Sequence, residues 1–240
     1  MIPTNLITET QKALNLVCGF SLAIDGVAGE QTLKVQKIFK NKYLALLQKL
    51  NFEFLERGLH AIRMNDEYND VVDDYFFVFV NGLPYFVPGA TKPAKMHAIY
   101  NYAMWALGKQ GVACMVAPQQ IKKIWKLANT ESRGSVWSGL PFLWQDGTTA
   151  SCALWRDKNA DKFISKTDVH ITAFAGINGH SWKGWTLNIL AYWSKQKALI
   201  ALTKGCQVTL EHYWLMIQSL LWQNNPDGFC DYTLTEIGDY

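Results

Sequence analysis

Two hydrophobic periods run along this chain. Leu14, Val17, Leu33, Val35, Ile38 and Phe39 recur at the three- and four-residue spacing that lines one face of a helix. The spacing predicts a helix from Thr8 to about Val17, where Thr8-Glu9-Thr10-Gln11 has the order of a capping box. Asp25-Gly26-Val27-Ala28-Gly29 then reads as a turn with two glycines free to adopt positive φ, and a second helix follows. Leu44, Leu47, Leu50, Phe54, Leu55 and Leu59 keep the helical period, predicting a connecting helix over Tyr43 to Met64. Asp66 to Asp74, rich in Asp and Asn, is the best boundary. Beyond it the pattern changes to β-suited runs. Tyr75 to Val80 and Leu83 to Val87 flank Asn81-Gly82, the favoured turn of a two-residue hairpin. Cys114 to Ala117, Ser151 to Trp155 and Val169 to Ile177 are further expected strands, and Gln120 to Leu127 and Leu210 to Trp222 expected helices. The expectation is an α+β protein, with a helical unit over residues 1–65 and a mainly β unit over 75–240.

Composition narrows the function classes. With 49% hydrophobic and 18% charged residues the chain has the makings of a substantial core. Its net charge of +3 is small and evenly spread, which argues against a nucleic-acid surface. No run of eighteen apolar residues predicts a membrane span, and Met1 to Leu16 lacks the apolar stretch of a secretory signal. Five cysteines, with no CxxC pair, suggest neither a zinc ribbon nor a disulfide framework. The odd count leaves at least one free thiol.

Around the first turn the order is Gln11-x-x-Leu14, Asp25-Gly26-x-x-Gly29-x-x-Thr32, then Val35 through Phe39. This resembles the small helical peptidoglycan-binding module found at the ends of many wall hydrolases. The resemblance implies a wall-binding role for Asp25, Gly26 and Gly29. The competing reading is that the three merely shape a turn between helices. Lys40 stands where that family commonly has glutamine.

The second informative stretch is Ile177-Asn178-Gly179-His180 followed by Thr203-Lys204-Gly205-Cys206-Gln207-Val208. A cysteine is a strong nucleophile only as thiolate, and a neighbouring imidazole supplies that state by taking the proton. His180 is the candidate base and His170, on a predicted strand, its rival. These residues resemble the L,D-transpeptidase (YkuD-like) family and related phage proteins, in which I-N-x-H precedes an S-x-G-C-x-V motif. Thr203 occupies the serine position. Weaker islands are Phe86 to Pro93 and Trp155 to Asn159. The resemblance implies a β-rich catalytic domain in which Cys206 attacks a carbonyl of the peptidoglycan stem peptide. Backbone N–H groups of Gly205 and Cys206 would stabilise the oxyanion and Thr203 would orient the histidine. Lys204 or Arg156 would meet a substrate carboxylate, because Val208 replaces the arginine usual two residues after the nucleophile. The 26-residue interval from His180 to Cys206 holds Trp182, Trp185, Tyr192 and Trp193, a candidate groove wall or ordinary core.

A papain-like or NlpC/P60-like enzyme places its histidine well after the cysteine, whereas only His212 follows Cys206. The histidines at 60, 97, 170, 180 and 212 form no metal-ligand spacing. A muramidase using Glu131 with Asp146 or Asp157 is a remote reading. The expectation is therefore a cofactor-free, metal-free peptidoglycan-processing cysteine enzyme of phage-lysin type. It would be made without a signal peptide in a host cytoplasm and act at the wall or periplasm, with other virion proteins as candidate partners. The non-enzymatic alternative is a wall-binding or virion structural protein.

Overall fold

The structure is a computed structural model describing residues 2–65, 72–92, 115–128, 142–144, 152–156, 169–173, 181–182, 185–186, 190–194 and 207–240. Helix α1 spans Thr4–Cys18 and α2 spans Glu30–Lys49. Strands β1 (Leu59–Arg63), β2 (Asp74–Val80), β3 (Leu83–Gly89), β4 (Met115–Val116), β5 (Gln119–Ala128), β6 (Phe142–Trp144), β7 (Cys152–Arg156), β8 (Val169–Ala173), β9 (Ser181–Trp182), β10 (Trp185–Thr186), β11 (Leu190–Ser194) and β12 (Gln207–Leu210) follow. Helix α3 (Glu211–Asn224), β13 (Phe229–Glu236) and a 3₁₀ turn Ile237–Asp239 complete the described order.

The main sheet is mixed, in the order β12-β11-β6-β5-β13-β1-β2-β3, with a second sheet β4-β7-β8 and a β9-β10 pair. Strand alternation puts Phe76 and Val78 of β2 in one apolar cluster with Trp214, Ile217 and Leu221 of α3. Phe77 and Phe79 enter another, with Leu14 of α1 and Val35, Phe39 and Tyr43 of α2. The central strands are thus covered on both faces. An α+β architecture with a mixed sheet is what the described residues form.

The Asn81-Gly82 hairpin forms as expected, with positive φ of 51° and 74° that suit the right-handed twist of its strands. Leu210 to Trp222 is helical as expected, within α3.

Three expectations are corrected. The capping box at Thr8 does not form: α1 begins at Thr4 behind Pro3, and Thr8 Oγ1 donates to the Thr4 carbonyl inside the helix. Burial of Leu6 and Ile7 against the sheet extends the helix toward its start.

The connecting helix over Tyr43 to Met64 does not form either. Asn51 takes φ 57°, with Asn51 N–H donating to Gln48 O and Phe52 N–H to Leu47 O. That is a Schellman stop with asparagine in the place usual for glycine. Leu59–Arg63 is instead a fully buried strand between β13 and β2.

Gln120 to Leu127 is strand, not helix. Its buried residues Ile121 and Ile124 lie three apart because the ladder with β13 slips between Ile121 and Trp125, where Lys123 adopts φ 51°. A bulge therefore imitates a helical period.

The helical segment is not set apart from the sheet. The hairpin makes Val80 and Leu83 a hydrogen-bonded pair, so Pro84, Phe86 and Pro88 turn their backbone groups away from β2. Phe86 N–H donates to Thr10 Oγ1 of α1 at 3.0 Å, and Gln36 Nε2 of α2 donates to Pro84 O at 2.7 Å. Thr10 and Gln36 are both buried. Strand β1, from the end of the expected first unit, pairs with β2 and β13 of the expected second.

Candidate functional site

The first motif folds into a lock centred on Gln11. From the buried face of α1 its Nε2 donates to Asp25 Oδ1 (2.8 Å), Val27 O (3.1 Å) and Thr32 Oγ1 (3.2 Å). Its Oε1 accepts from the N–H of Gly26 (2.9 Å) and of Asp25 (3.2 Å). Asp25 Oδ1 also accepts from Val27 N–H, and Thr32 Oγ1 donates to Val27 O. The Gln11 amide, first, and the Val27 N–H hold the Asp25 carboxyl below its ordinary range.

Gly26 has φ 71°, and a Cβ there would lie 2.6 Å from Thr4 Cγ2. Glycine is required on both counts. Gly29, at φ −71°, is the N-cap of α2. The polar atoms of Asp25 and Gly26 that these bonds use shape the loop. Ile24 and Val27, on the loop itself, are exposed.

Of the expected catalytic set, Cys206, His180, Gly205, Thr203 and Lys204 lie outside the described residues. His170 is on β8 in register with Trp155 of β7, and Trp182 is on β9 in register with Trp185 of β10. Gln207, the residue after Cys206, opens β12, which runs parallel to β11.

Two further thiols and one histidine sit in surroundings that keep them uncharged. Cys230 is fully buried, and burial pushes its thiol up to about 12, so it carries no thiolate at neutral pH. Burial likewise raises the half-buried Cys18. His60 is buried, with Nε2 3.0 Å from Leu55 O and Nδ1 2.8 Å from the Tyr43 hydroxyl. A carbonyl only accepts, so Nε2 carries the proton and Nδ1 accepts from Tyr43. Burial lowers the His60 pKa to about 3, so the ring stays neutral and is already occupied.

One polar constellation was missed by the sequence reading. Asp74, at the start of β2, accepts from Met64 N–H on Oδ1 and from the N–H and hydroxyl of Thr91 on Oδ2 (2.8 and 2.7 Å). Lys92 Nζ reaches Asp73 (3.1 Å), Asn65 Oδ1 (2.7 Å) and Asp74 (3.7 Å). Arg63 donates to Thr91 and approaches Glu236 at 3.6 Å. Burial raises the Asp74 carboxyl, with Lys92 opposing. The ends of β1, β2, β3 and β13 are tied together here. The available signal was Asp73-Asp74 opening one hairpin strand with Thr91-Lys92 just past the other. The acidic run reads instead as a domain boundary.

Among the described residues, no group of three or more His, Cys, Asp or Glu side chains is arranged to hold a metal, and no helix is long and apolar enough to cross a membrane. Comparison with protein-family models, curated proteins and solved structures returns no match. Fold and geometry define the class alone: an α+β protein whose mixed sheet is flanked by helices and fastened to them through Thr10 and Gln36, with a glutamine-locked loop joining α1 to α2.

Proposed function

We propose that this chain processes bacterial peptidoglycan, as a phage-lysin-type enzyme acting at the wall or periplasm, with Cys206 as nucleophile and His180 as its base. The observation that supports the reading most is the Gln11 lock. Gln11, Asp25, Gly26 and Thr32, the positions that carry the wall-binding resemblance, form one hydrogen-bonded unit, which supports a module of that local fold around the turn. The catalytic half rests on the sequence motif alone.

In the proposed reaction His180 takes the Cys206 proton, and the thiolate adds to a stem-peptide carbonyl. The N–H groups of Gly205 and Cys206 hold the oxyanion. Collapse breaks the peptide C–N bond, and the leaving amine receives the proton from His180. Water or a second amine then resolves the thioester. His170 is the alternative base, Thr203 the orienting group, Lys204 a carboxylate partner and Trp182 part of the groove. The chemistry requires no metal or cofactor.

A non-catalytic wall-binding or virion structural role has one observation in its favour, Val208 in the position where the resembled family carries arginine. Alkylation separates the two. On the enzymatic reading Cys206 reacts with iodoacetamide at about pH 6 at least tenfold faster than the other thiols, as a depressed thiol pKa requires. Equal rates would remove the nucleophile.

A further inference from the structure

We propose that the solvent face of α2 binds an anionic wall polymer, a linear chain of polyol units joined by phosphodiesters and carrying no bases. The choice of polymer rests on the peptidoglycan reading above, and the face itself on the charges and burial of one helix.

Helix α2 carries Lys34, Lys37, Lys40, Lys42 and Lys49 against a single acid, Glu30 in its first turn. Of the chain's 23 basic and 20 acidic side chains, 18 and 19 then lie elsewhere. The whole of the net +3 is therefore concentrated on this helix, which corrects the even spread expected from the sequence.

Burial fixes which way the lysines point. Val35, Gln36, Phe39, Tyr43, Leu46 and Leu47 are buried, so the opposite side of α2 meets solvent, and there Lys34, Lys37, Lys42 and Lys49 are all exposed. At 3.6 residues per turn the four lie within about 140° of the helix circumference and along about 22 Å of its length. The exposed positions among them are Asn41, Ala45 and Gln48, which bring neither a carboxylate nor a large apolar side chain. None of the four forms an ion pair among the described residues, where Lys12, Arg63, Lys92, Lys122 and Lys123 are the paired cations. Lys40 is turned aside, its ammonium 5.5 Å from the centre of the Phe54 ring. Unpaired like charges repel one another, and a polyanion relieves that repulsion while releasing its own counterions.

Chemistry decides among polyanions. Lysine is a point charge that suits a phosphodiester, whereas the planar fork that reads base edges belongs to arginine, and α2 has none. Single-stranded nucleic acid stacks its bases on aromatic rings, and no aromatic residue of α2 is exposed. A helix lying on a membrane buries its apolar side in lipid, whereas that side of α2 is buried against the sheet. A base-free phosphodiester chain needs only positive charges set along a line. Helix α2 also starts at the end of the loop that Gln11 locks, so its face continues from the segment that carries the wall-binding resemblance.

The test uses full-length wild type, Lys34→Gln/Lys37→Gln, and Lys122→Gln/Lys123→Gln, which removes equal charge from exposed lysines of β5. Calorimetric titration with soluble poly(glycerol phosphate) at several salt concentrations reads the affinity, with oligo(dT) and anionic phospholipid vesicles as comparison ligands. Wild type is expected to bind poly(glycerol phosphate) more tightly than either. The logarithm of its affinity should fall against that of salt with a slope of about −3, from four contacts at about 0.7 each. The α2 pair is expected to lose at least about tenfold in affinity and about 1.4 in slope, and the β5 pair to stay within about threefold of wild type. Equal losses in the two variants overturn the proposal, as does a wild type that prefers oligo(dT) or vesicles or shows no salt-dependent binding. Digestion of peptidoglycan stripped of its phosphodiester polymer is read separately. A wild type that binds the polymer but leaves stripped peptidoglycan intact overturns the enzymatic reading and supports the face, and one that digests it without binding the polymer overturns the face alone.

Discussion

At the scale of single residues, polar groups buried in this core are there to join elements. His60 sits on β1 with both ring nitrogens engaged, bridging α2 through Tyr43 and the loop before β1 through Leu55. Its lowered pKa of about 3 has a definite consequence for stability. The folded state holds the ring neutral, whereas the unfolded chain protonates it near pH 6.5. His60 therefore costs nothing above that pH, and stability is lost as pH falls from about 6.5 toward 3, with a slope approaching about 1.4 kcal/mol per pH unit. Urea melts of wild type and His60→Gln at about pH 7.5 and pH 5.5 check this. The variant is less stable at the higher pH but loses less between the two, and parallel losses would show that His60 is not the titrating group. Gln11 works in the same manner without titrating: one amide serves as donor and acceptor to a loop and to the next helix. Its motif is legible from spacing alone, since Gln11, Asp25, Gly26 and Thr32 stand at the intervals of the resembled module. The Arg63–Asp74–Lys92 cluster was not, because its members come from four strand ends whose adjacency exists only once the sheet is paired.

At the scale of elements, the sequence reading failed where two signals of opposite meaning share one spacing. Ile121 and Ile124 are three apart because β5 bulges at Lys123, and nothing local separates that from a helix. Asn51 ended α2 in a role for which glycine is the usual marker, so the apolar period beyond it read as helix. The Asn81-Gly82 hairpin was legible because its turn chemistry is local and specific.

The relation of the helices to the sheet yields a prediction. Helices α1 and α2 cover the outer edge of β3 through Thr10 and Gln36, and fill the apolar cluster beneath Phe77, Phe79 and Phe86. Exposed edge strands invite association. A chain of residues 51–240 is therefore expected to aggregate on size-exclusion chromatography. A monodisperse, folded 51–240 would show that the helical segment is an independent module.

At the scale of the whole molecule, the chain is an α+β protein in which a mixed sheet carries helices on both faces, and the described ends of that sheet meet at Thr209 and Pro88. The coarse fold class was legible because it depends only on the succession of periods. The sheet order was not, because it depends on pairings such as β1 with β13, separated by most of the chain. The proposed function joins a wall-binding loop to a cysteine, and digestion of purified peptidoglycan with wild type and Cys206→Ala, followed by mass analysis of the released fragments, tests that union most directly. Stem-peptide cleavage or exchange products are expected with wild type and none with Cys206→Ala. Identical fragment profiles from the two proteins would contradict it.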